Sequence, residues 1–236
     1  MDNKRDTLFA SKTMARFGFN REVAEVFDDM VRRSVPGYAL TLDMLAVLAS
    51  EYAPQGRYVY DLGCSTGAGV AAMLPSIPDD RLVIGVDRSL DMLRQARPLL
   101  HDKRVRLVCA DIRELDLRDA GLIVMNFTLQ FVPPKARQSL LRDIHQALNP
   151  GGALILSEKI RFRQSYEEDF HVRHHHAFKR LQGYSHLEIS RKRAALERVL
   201  VPEPLQTHRL RLHRAGFARV YTWFQCFNFA SLIALR

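Results

Sequence analysis

Tyr58-Val59-Tyr60-Asp61-Leu62 runs straight into Gly63-Cys64-Ser65-Thr66-Gly67-Ala68-Gly69. A short β-rich run that ends on a glycine-rich turn and reopens as a helical pattern is the first strand-turn-helix unit of a parallel sheet. Glycines at the carboxyl end of such a strand let the backbone approach a ligand closely, and the following helix presents free amides. The dinucleotide pattern GxGxxG needs a glycine at position 65, where this chain has Ser65, and the GK[ST] of a phosphate loop is absent. The turn therefore reads as a binding turn that disfavours pyrophosphate ligands.

Working outward, further strands are expected at Leu82–Val86, Val105–Cys109, Leu122–Asn126 and Ala153–Ser157. Helical patterns fill the gaps around Ala68–Leu74, Ser89–Leu99 and Pro134–Leu148, the last stopped by Asn149-Pro150-Gly151-Gly152. Residues 20–54 read as helices broken at Pro36-Gly37 that cover one mouth of the sheet. Ser185-His186-Leu187-Glu188 is a capping box, opening a helix from His186 to Leu200 that Pro202 and Pro204 stop. A helix over Leu205–Arg214, then Gly216, leads to two β-rich runs, Ala218–Phe224 and Phe229–Leu235, whose short connection makes the last strand antiparallel. The expected architecture is a single Rossmann-like α/β domain with a mostly parallel seven-stranded sheet and a terminal antiparallel hairpin. Its parts are a helical cover (1–55), a binding core (56–160), a helical insertion (161–204) and a closing helix and hairpin (205–236).

Composition bounds the class. At 236 residues, 47% hydrophobic and 26% charged, the chain can bury a core and stay soluble, which excludes disordered, collagen-like and coiled-coil classes. The formal net charge of +9 favours an acidic partner. Most of that charge sits in residues 159–214, with 13 Lys/Arg against 6 Asp/Glu and 7 of the 9 histidines. Cys64, Cys109 and Cys226 form neither a disulfide framework nor a CxxC metal pair, so a cytoplasmic protein is expected. The mixed charges of Met1-Asp2-Asn3-Lys4-Arg5-Asp6 lead into no apolar signal region, and the most apolar stretch, Ala39 to Ala49, is too short to span a membrane.

The other strand ends carry polar groups at telling positions. Asp87 follows the second strand, 20 residues past Gly67, where a carboxylate can accept both hydroxyls of a ribose. Asp111 and Ile112 follow the third, an acid for an adenine amine beside an apolar neighbour for its ring, and Asn126 closes the fourth. Any one of these alone could be a helix cap. Together they resemble the S-adenosylmethionine-binding pattern of class I methyltransferase-like folds. Asn126-Phe127-Thr128-Leu129-Gln130-Phe131 lacks the proline pair expected of enzymes that methylate base amines, and no His, Lys or Glu stands there as an obvious general base.

The chain as a whole resembles the carboxy-S-adenosyl-L-methionine synthase family, which serves modification of the tRNA wobble uridine. The resemblance rests on Arg5-Asp6-Thr7-Leu8-Phe9, Val23-Ala24-Glu25-Val26-Phe27, Arg33-Ser34-Val35-Pro36-Gly37-Tyr38 and Val59-Tyr60-Asp61-Leu62-Gly63-Cys64-Ser65. It continues through the Asn126–Phe131 run, Leu148-Asn149-Pro150-Gly151-Gly152-Ala153-Leu154 and Trp223-Phe224-Gln225-Cys226-Phe227-Asn228-Phe229. It implies conversion of S-adenosylmethionine and prephenate into carboxy-S-adenosylmethionine, phenylpyruvate and water by a homodimer. It also implies a functional link to the tRNA carboxymethyltransferase that uses the product. Carried over by position, Tyr38, Gly63, Cys64, Ser65, Asp87, Arg88, Asp111, Ile112 and Asn126 would hold the nucleoside and amino acid parts, and Arg193 would grip the new carboxylate. Arg88 stands where an Asn is expected, so its backbone rather than its side chain is the expected contact, and Lys12–Phe17 also departs from the pattern. A guanidinium suits the task because it is permanently charged and binds a carboxylate through two parallel hydrogen bonds.

Two other classes stay open on the residues alone: a conventional methyltransferase acting on a small or tRNA acceptor, and a non-catalytic tRNA-binding module. The basic segment lacks an RNA-binding motif, so direct tRNA binding is not expected. His171, His174, His175 and His176 include an i, i+4 pair but no third ligand with recognisable spacing, and no metal is expected. Cys64 is read as a small packing residue, and Trp223, Phe224, Phe227 and Phe229 as core or interface aromatics.

Overall fold

The computed structural model describes residues 4–11, 17–197 and 199–236; most of the divergent Lys12–Phe17 stretch and the first three residues lie outside them. Seven strands form one sheet: β1 (Tyr58–Leu62), β2 (Leu82–Asp87), β3 (Val105–Cys109), β4 (Ala120–Asn126), β5 (Leu148–Lys159), β6 (Arg219–Cys226) and β7 (Phe229–Leu235). Their order is β3-β2-β1-β4-β5-β7-β6, with β7 antiparallel to both neighbours and the remaining pairs parallel. The chain reverses direction outward from β1, which opens a crevice at the carboxyl ends of β1 and β4, where such sheets bind ligands.

The helices are α1 (Leu8–Ser11), α2 (Arg21–Ala24), α3 (Phe27–Ser34), α4 (Tyr38–Tyr52), α5 (Ala68–Met73), α6 (Leu90–Ala96), α7 (Pro134–Ala147), α8 (Ser165–Leu181), α9 (His186–Leu196) and α10 (Leu205–Ala215). Strand periodicity divides the core. Val59, Val83, Val124 and Ile155 face α4, α5 and α6, whereas Tyr60, Ile123, Met125 and Leu154 face α7 and α10. Each fully buried aliphatic side chain here contributes roughly 1.5–3 kcal/mol. A third cluster of Phe9, Val23, Met30, Met92 and Ala195 fastens the N-terminal cover to α6 and α9.

Several boundaries depart from expectation. The Asn149-Pro150-Gly151-Gly152 stop lies within β5 as a bulge, because pairing jumps from Ala120↔Leu148 to Leu122↔Ala153. The capping box of α9 forms, but the helix ends at Leu196 rather than Leu200. The chain beyond it is drawn off when the Val201 amide donates to the Gln130 carbonyl at 3.0 Å. Arg137, fully buried, donates to the carbonyls of Gln130, Val132 and Val201 and pairs with Glu203. These bonds fix the loop after β4 against the segment after α9. The hairpin turn is only Phe227-Asn228, so β6 runs two residues further than expected. Among the described residues no helix is long and apolar enough to cross a membrane.

Candidate functional site

Gly63 ends β1 in the left-handed region (φ +87°), and a Cβ there would lie 2.4 Å from the Thr128 Oγ1. Only glycine lets the turn after β1 pass this close to the turn after β4. The amides of Gly63 and Cys64 both donate to the Val86 carbonyl, at 2.7 and 2.9 Å, which bends the loop over the end of β2. Ser65, itself at φ +49°, then donates its amide to the Asp87 Oδ2 at 3.0 Å, while the Ser89 amide reaches Oδ1 at 2.8 Å. Burial nevertheless pushes the Asp87 carboxyl up, against the pull of the Ser89 and Ser65 amides.

Beneath the loop, Asp61 is fully buried. Its side chain lies 2.7 Å from where a Gly69 Cβ would sit, so glycine is required there by close approach. Burial first, and then the Asp87 charge, push the Asp61 carboxyl up to about 7. Cys64 is buried with its thiol held protonated by desolvation, and it packs against Gly85, as a small structural residue does.

All these groups border one cavity. Gly63, Cys64 and Ser65 come from the first strand end, Asp87 and Arg88 from the second, and Asp111 and Ile112 from the third. Asn126 comes from the fourth, and Tyr38 from the start of α4. Arg88 sits exposed at the rim. Asp111 is held by Arg113 through two bonds of 2.9 and 2.6 Å, which hold its carboxyl down at about 2, so it is an anion at any working pH. Asn126 borders the cavity, and its Oδ1 is buried with no hydrogen-bond partner among the described residues, an acceptor left free. The Tyr38 hydroxyl is kept protonated by burial.

Arg193 is not part of this lining. It is exposed on α9 and makes no hydrogen bond or ion pair among the described residues, and its charge acts on Lys159 and His176. The α9 cation that does face the cavity is Lys192, buried and one residue away, with Leu196 below it. Sequence reasoning also missed the wall formed by Phe19, Phe27 and Phe131, in which Phe19 meets Phe131 edge-on at 5.1 Å. Phe131 and Gln130 were within the distinctive run after β4, a signal that could have found them.

The histidines of α8 disperse into packing. His171 stacks on Phe162 at 3.9 Å, His174 stacks on Phe227, and His175 reaches the Ser34 carbonyl at 2.8 Å. Among the described residues no group of three or more His, Cys, Asp or Glu is placed to hold a metal ion.

Residues 59–152 match the family model described as a methyltransferase domain. A carboxy-S-adenosyl-L-methionine synthase of Geobacter sp. (strain M21) is 47% identical over 100% of both chains. One of Marinobacter nauticus is 49% identical over 98% of this chain and 95% of its own. The chain belongs to the carboxy-S-adenosyl-L-methionine synthase family. Solved structures agree on the fold. An O-methyltransferase family protein from Burkholderia thailandensis superposes with a TM-score of 0.64 at 18% identity, over 97% of this chain and 66% of its own. Human N-acetylserotonin methyltransferase in complex with S-adenosylmethionine gives 0.61 at 14% identity, over 91% and 55%.

As a member of this family the chain is an enzyme whose substrate is S-adenosylmethionine. The Asp87 carboxylate has lone pairs left that can accept from hydroxyls, Ile112 offers an apolar surface on which a ring can pack, and the Asn126 oxygen can accept from an ammonium.

Proposed function

We propose that the enzyme converts S-adenosylmethionine and prephenate into carboxy-S-adenosylmethionine, phenylpyruvate and water, as a cytoplasmic homodimer that supplies the carboxymethyl donor for tRNA wobble uridine modification. The observation that carries this reading is the composition of the cavity at the strand ends. Nucleoside-binding strand ends make up one part of it, aromatic rings wall it, and a buried lysine faces it. An alkyl transfer to a neutral acceptor has no use for that lysine, whereas a second substrate carrying two carboxylates does.

The chemistry balances without a base from the protein. Loss of the ring carboxylate of prephenate as carbon dioxide pushes electrons through the ring and expels its hydroxyl. The departing hydroxide takes a proton from the S-methyl group, which the adjacent sulfonium acidifies, and becomes water. The resulting ylide carbon attacks carbon dioxide, giving the carboxymethyl sulfonium. The chain's contribution is to hold both reactants close and exclude bulk water, which would quench the ylide. Phe19, Phe27 and Phe131 supply that apolar wall.

Tyr38, Gly63, Cys64, Ser65, Asp87, the Arg88 backbone, Asp111, Ile112 and Asn126 are assigned to the nucleoside and amino acid parts. Arg193 is assigned to the product carboxylate. Its guanidinium is exposed and unpaired among the described residues and therefore available to an anionic group.

Mass spectrometry of the nucleoside formed from S-adenosylmethionine and prephenate tests the reading. A product one carboxyl group heavier than the substrate, with stoichiometric phenylpyruvate, is expected. Formation of S-adenosylhomocysteine with a methylated acceptor, and no consumption of prephenate, overturns it.

A further inference from the structure

The inner face of α3 lines the cavity along its whole length. Phe27, Met30, Val31 and Ser34 recur at helical spacing, and Val35 follows. At the start of this helix, Asp28 accepts from the Thr66 hydroxyl at 2.6 Å, which places that end against the glycine loop. Ser34 lies six residues on, roughly 9 Å along the axis at 1.5 Å per residue. It is the one polar side chain of an otherwise apolar stripe.

Buried donors converge at Ser34. Its hydroxyl accepts from the Lys192 ammonium at 2.8 Å, and its carbonyl accepts from His175 Nε2 at 2.8 Å. Behind Lys192 stands Lys179, buried, whose ammonium has no hydrogen-bond or ion-pair partner among the described residues. Lys159, His176 and Arg193 act on the same space.

Negative charge there is scarce. Asp6 lies 3.6 Å from Lys192, but its carboxylate also accepts from the Tyr184 hydroxyl and the Leu8 amide. Asp29 is paired with Arg33 at 3.0 Å, and Glu168 acts on Lys159 alone among these lysines. Lys192 thus shares one buried carboxylate that Tyr184 and Leu8 also use, and Lys179 has no ion-pair partner among the described residues, so an anionic ligand at the mouth of the nest offsets positive charge that the fold leaves incompletely matched. Desolvation, and then the charges of Lys192 and Lys159, pull Lys179 down, and desolvation pulls Lys192 down to about 8 against the charge of Asp6.

We propose that Lys192 and Ser34, backed by Lys179 and Lys159, form an anion subsite that binds a carboxylate of the second substrate at the end of the cavity remote from the glycine loop. The subsite rests on the reading that this substrate is a small dicarboxylate, and it assigns the binding of that substrate to residues distinct from those holding the nucleoside.

The test is calorimetric titration of prephenate into the full-length protein saturated with S-adenosylhomocysteine, a pair that cannot react. Lys192→Gln keeps a donor for Ser34 and removes the charge, and Lys179→Met removes an amino group that has no hydrogen-bond or ion-pair partner among the described residues. K192Q is expected to weaken prephenate binding about tenfold or more, as loss of a buried charge partner does, with S-adenosylhomocysteine affinity unchanged. K179M is expected to weaken it less, and it carries the test if K192Q does not fold. Wild-type affinity for prephenate in both variants overturns the subsite even where the wild type makes the carboxylated nucleoside, and so does no binding to the wild type. Prephenate binding that K192Q abolishes supports the subsite even where no carboxylated nucleoside forms, an outcome that rejects the proposed reaction instead.

Discussion

The Ser65 amide donates to the Asp87 carboxylate at 3.0 Å, so the residue that grips the ribose in the proposed complex also holds the glycine loop in place. The two roles are coupled through one side chain: the loop after β1 is shaped by the end of β2 before any ligand arrives.

Asp87→Ala is therefore expected to cost more than a ribose contact. Hydrogen bonds to a charged group contribute about 1.5–3 kcal/mol, so S-adenosylhomocysteine affinity should fall at least about tenfold. Titration calorimetry reads this directly, with circular dichroism to establish that the sheet persists. An affinity within twofold of wild type removes Asp87 from the site.

Gly63→Ala strains a backbone at φ +87° and drives a methyl group into Thr128. Urea unfolding should show a loss of about 1–3 kcal/mol. Adding Thr128→Ala deletes the two nearest atoms and should restore part of that loss, the remainder being the conformational cost. A double variant no more stable than G63A would mean that the contact contributes nothing.

Much of this arrangement was legible in the chain because strands buried on both faces announce themselves as apolar runs, and their polar ends then fall at one edge of the sheet. The basic run Arg191-Lys192-Arg193 was not. Successive helical residues point about 100° apart, and here each goes a different way. Arg191 donates to the Phe9 and Ala10 carbonyls, Lys192 turns inward to Ser34, and Arg193 faces solvent. Three like charges in a row carry no periodicity, so only the packing of α9 against α3 and the N-terminal cover decides which one reaches the cavity. The bulge in β5 was hidden similarly, since Asn-Pro-Gly-Gly reads as a terminator and only the partner strand shows that pairing resumes around it.

Glu158 makes the fold sensitive to alkali. Burial pushes its carboxyl up to about 8, against the opposing charge of Arg137, from an ordinary value of 4.5. A group raised in the fold contributes stability that is full below its unfolded value and is lost as pH rises through the folded value. Stability should therefore decline between about pH 4.5 and 8, with Asp61 adding to the same slope up to about 7. Glu158→Gln keeps an acceptor for the Leu129 amide, now bound at 2.9 Å, and removes its share of the slope. At pH 8.5 the variant should exceed wild type by about 1 kcal/mol or more, about 2–4 °C in Tm, and match it at pH 5. Parallel Tm profiles for the two proteins would show that Glu158 is ionised in the fold.

Arg193→Lys separates the two cations of α9. A guanidinium binds a carboxylate through two parallel bonds and an ammonium through one, so if Arg193 closes on the product, the variant should release carboxy-S-adenosylmethionine about tenfold more readily. Binding of S-adenosylmethionine, which lacks the extra carboxylate, should be unchanged, and so should prephenate binding, which is assigned to Lys192. Calorimetry with all three ligands distinguishes the cases. A loss confined to the carboxylated nucleoside places the exposed arginine on the product, whereas equal affinities for all three leave Lys192 as the α9 cation that meets a substrate.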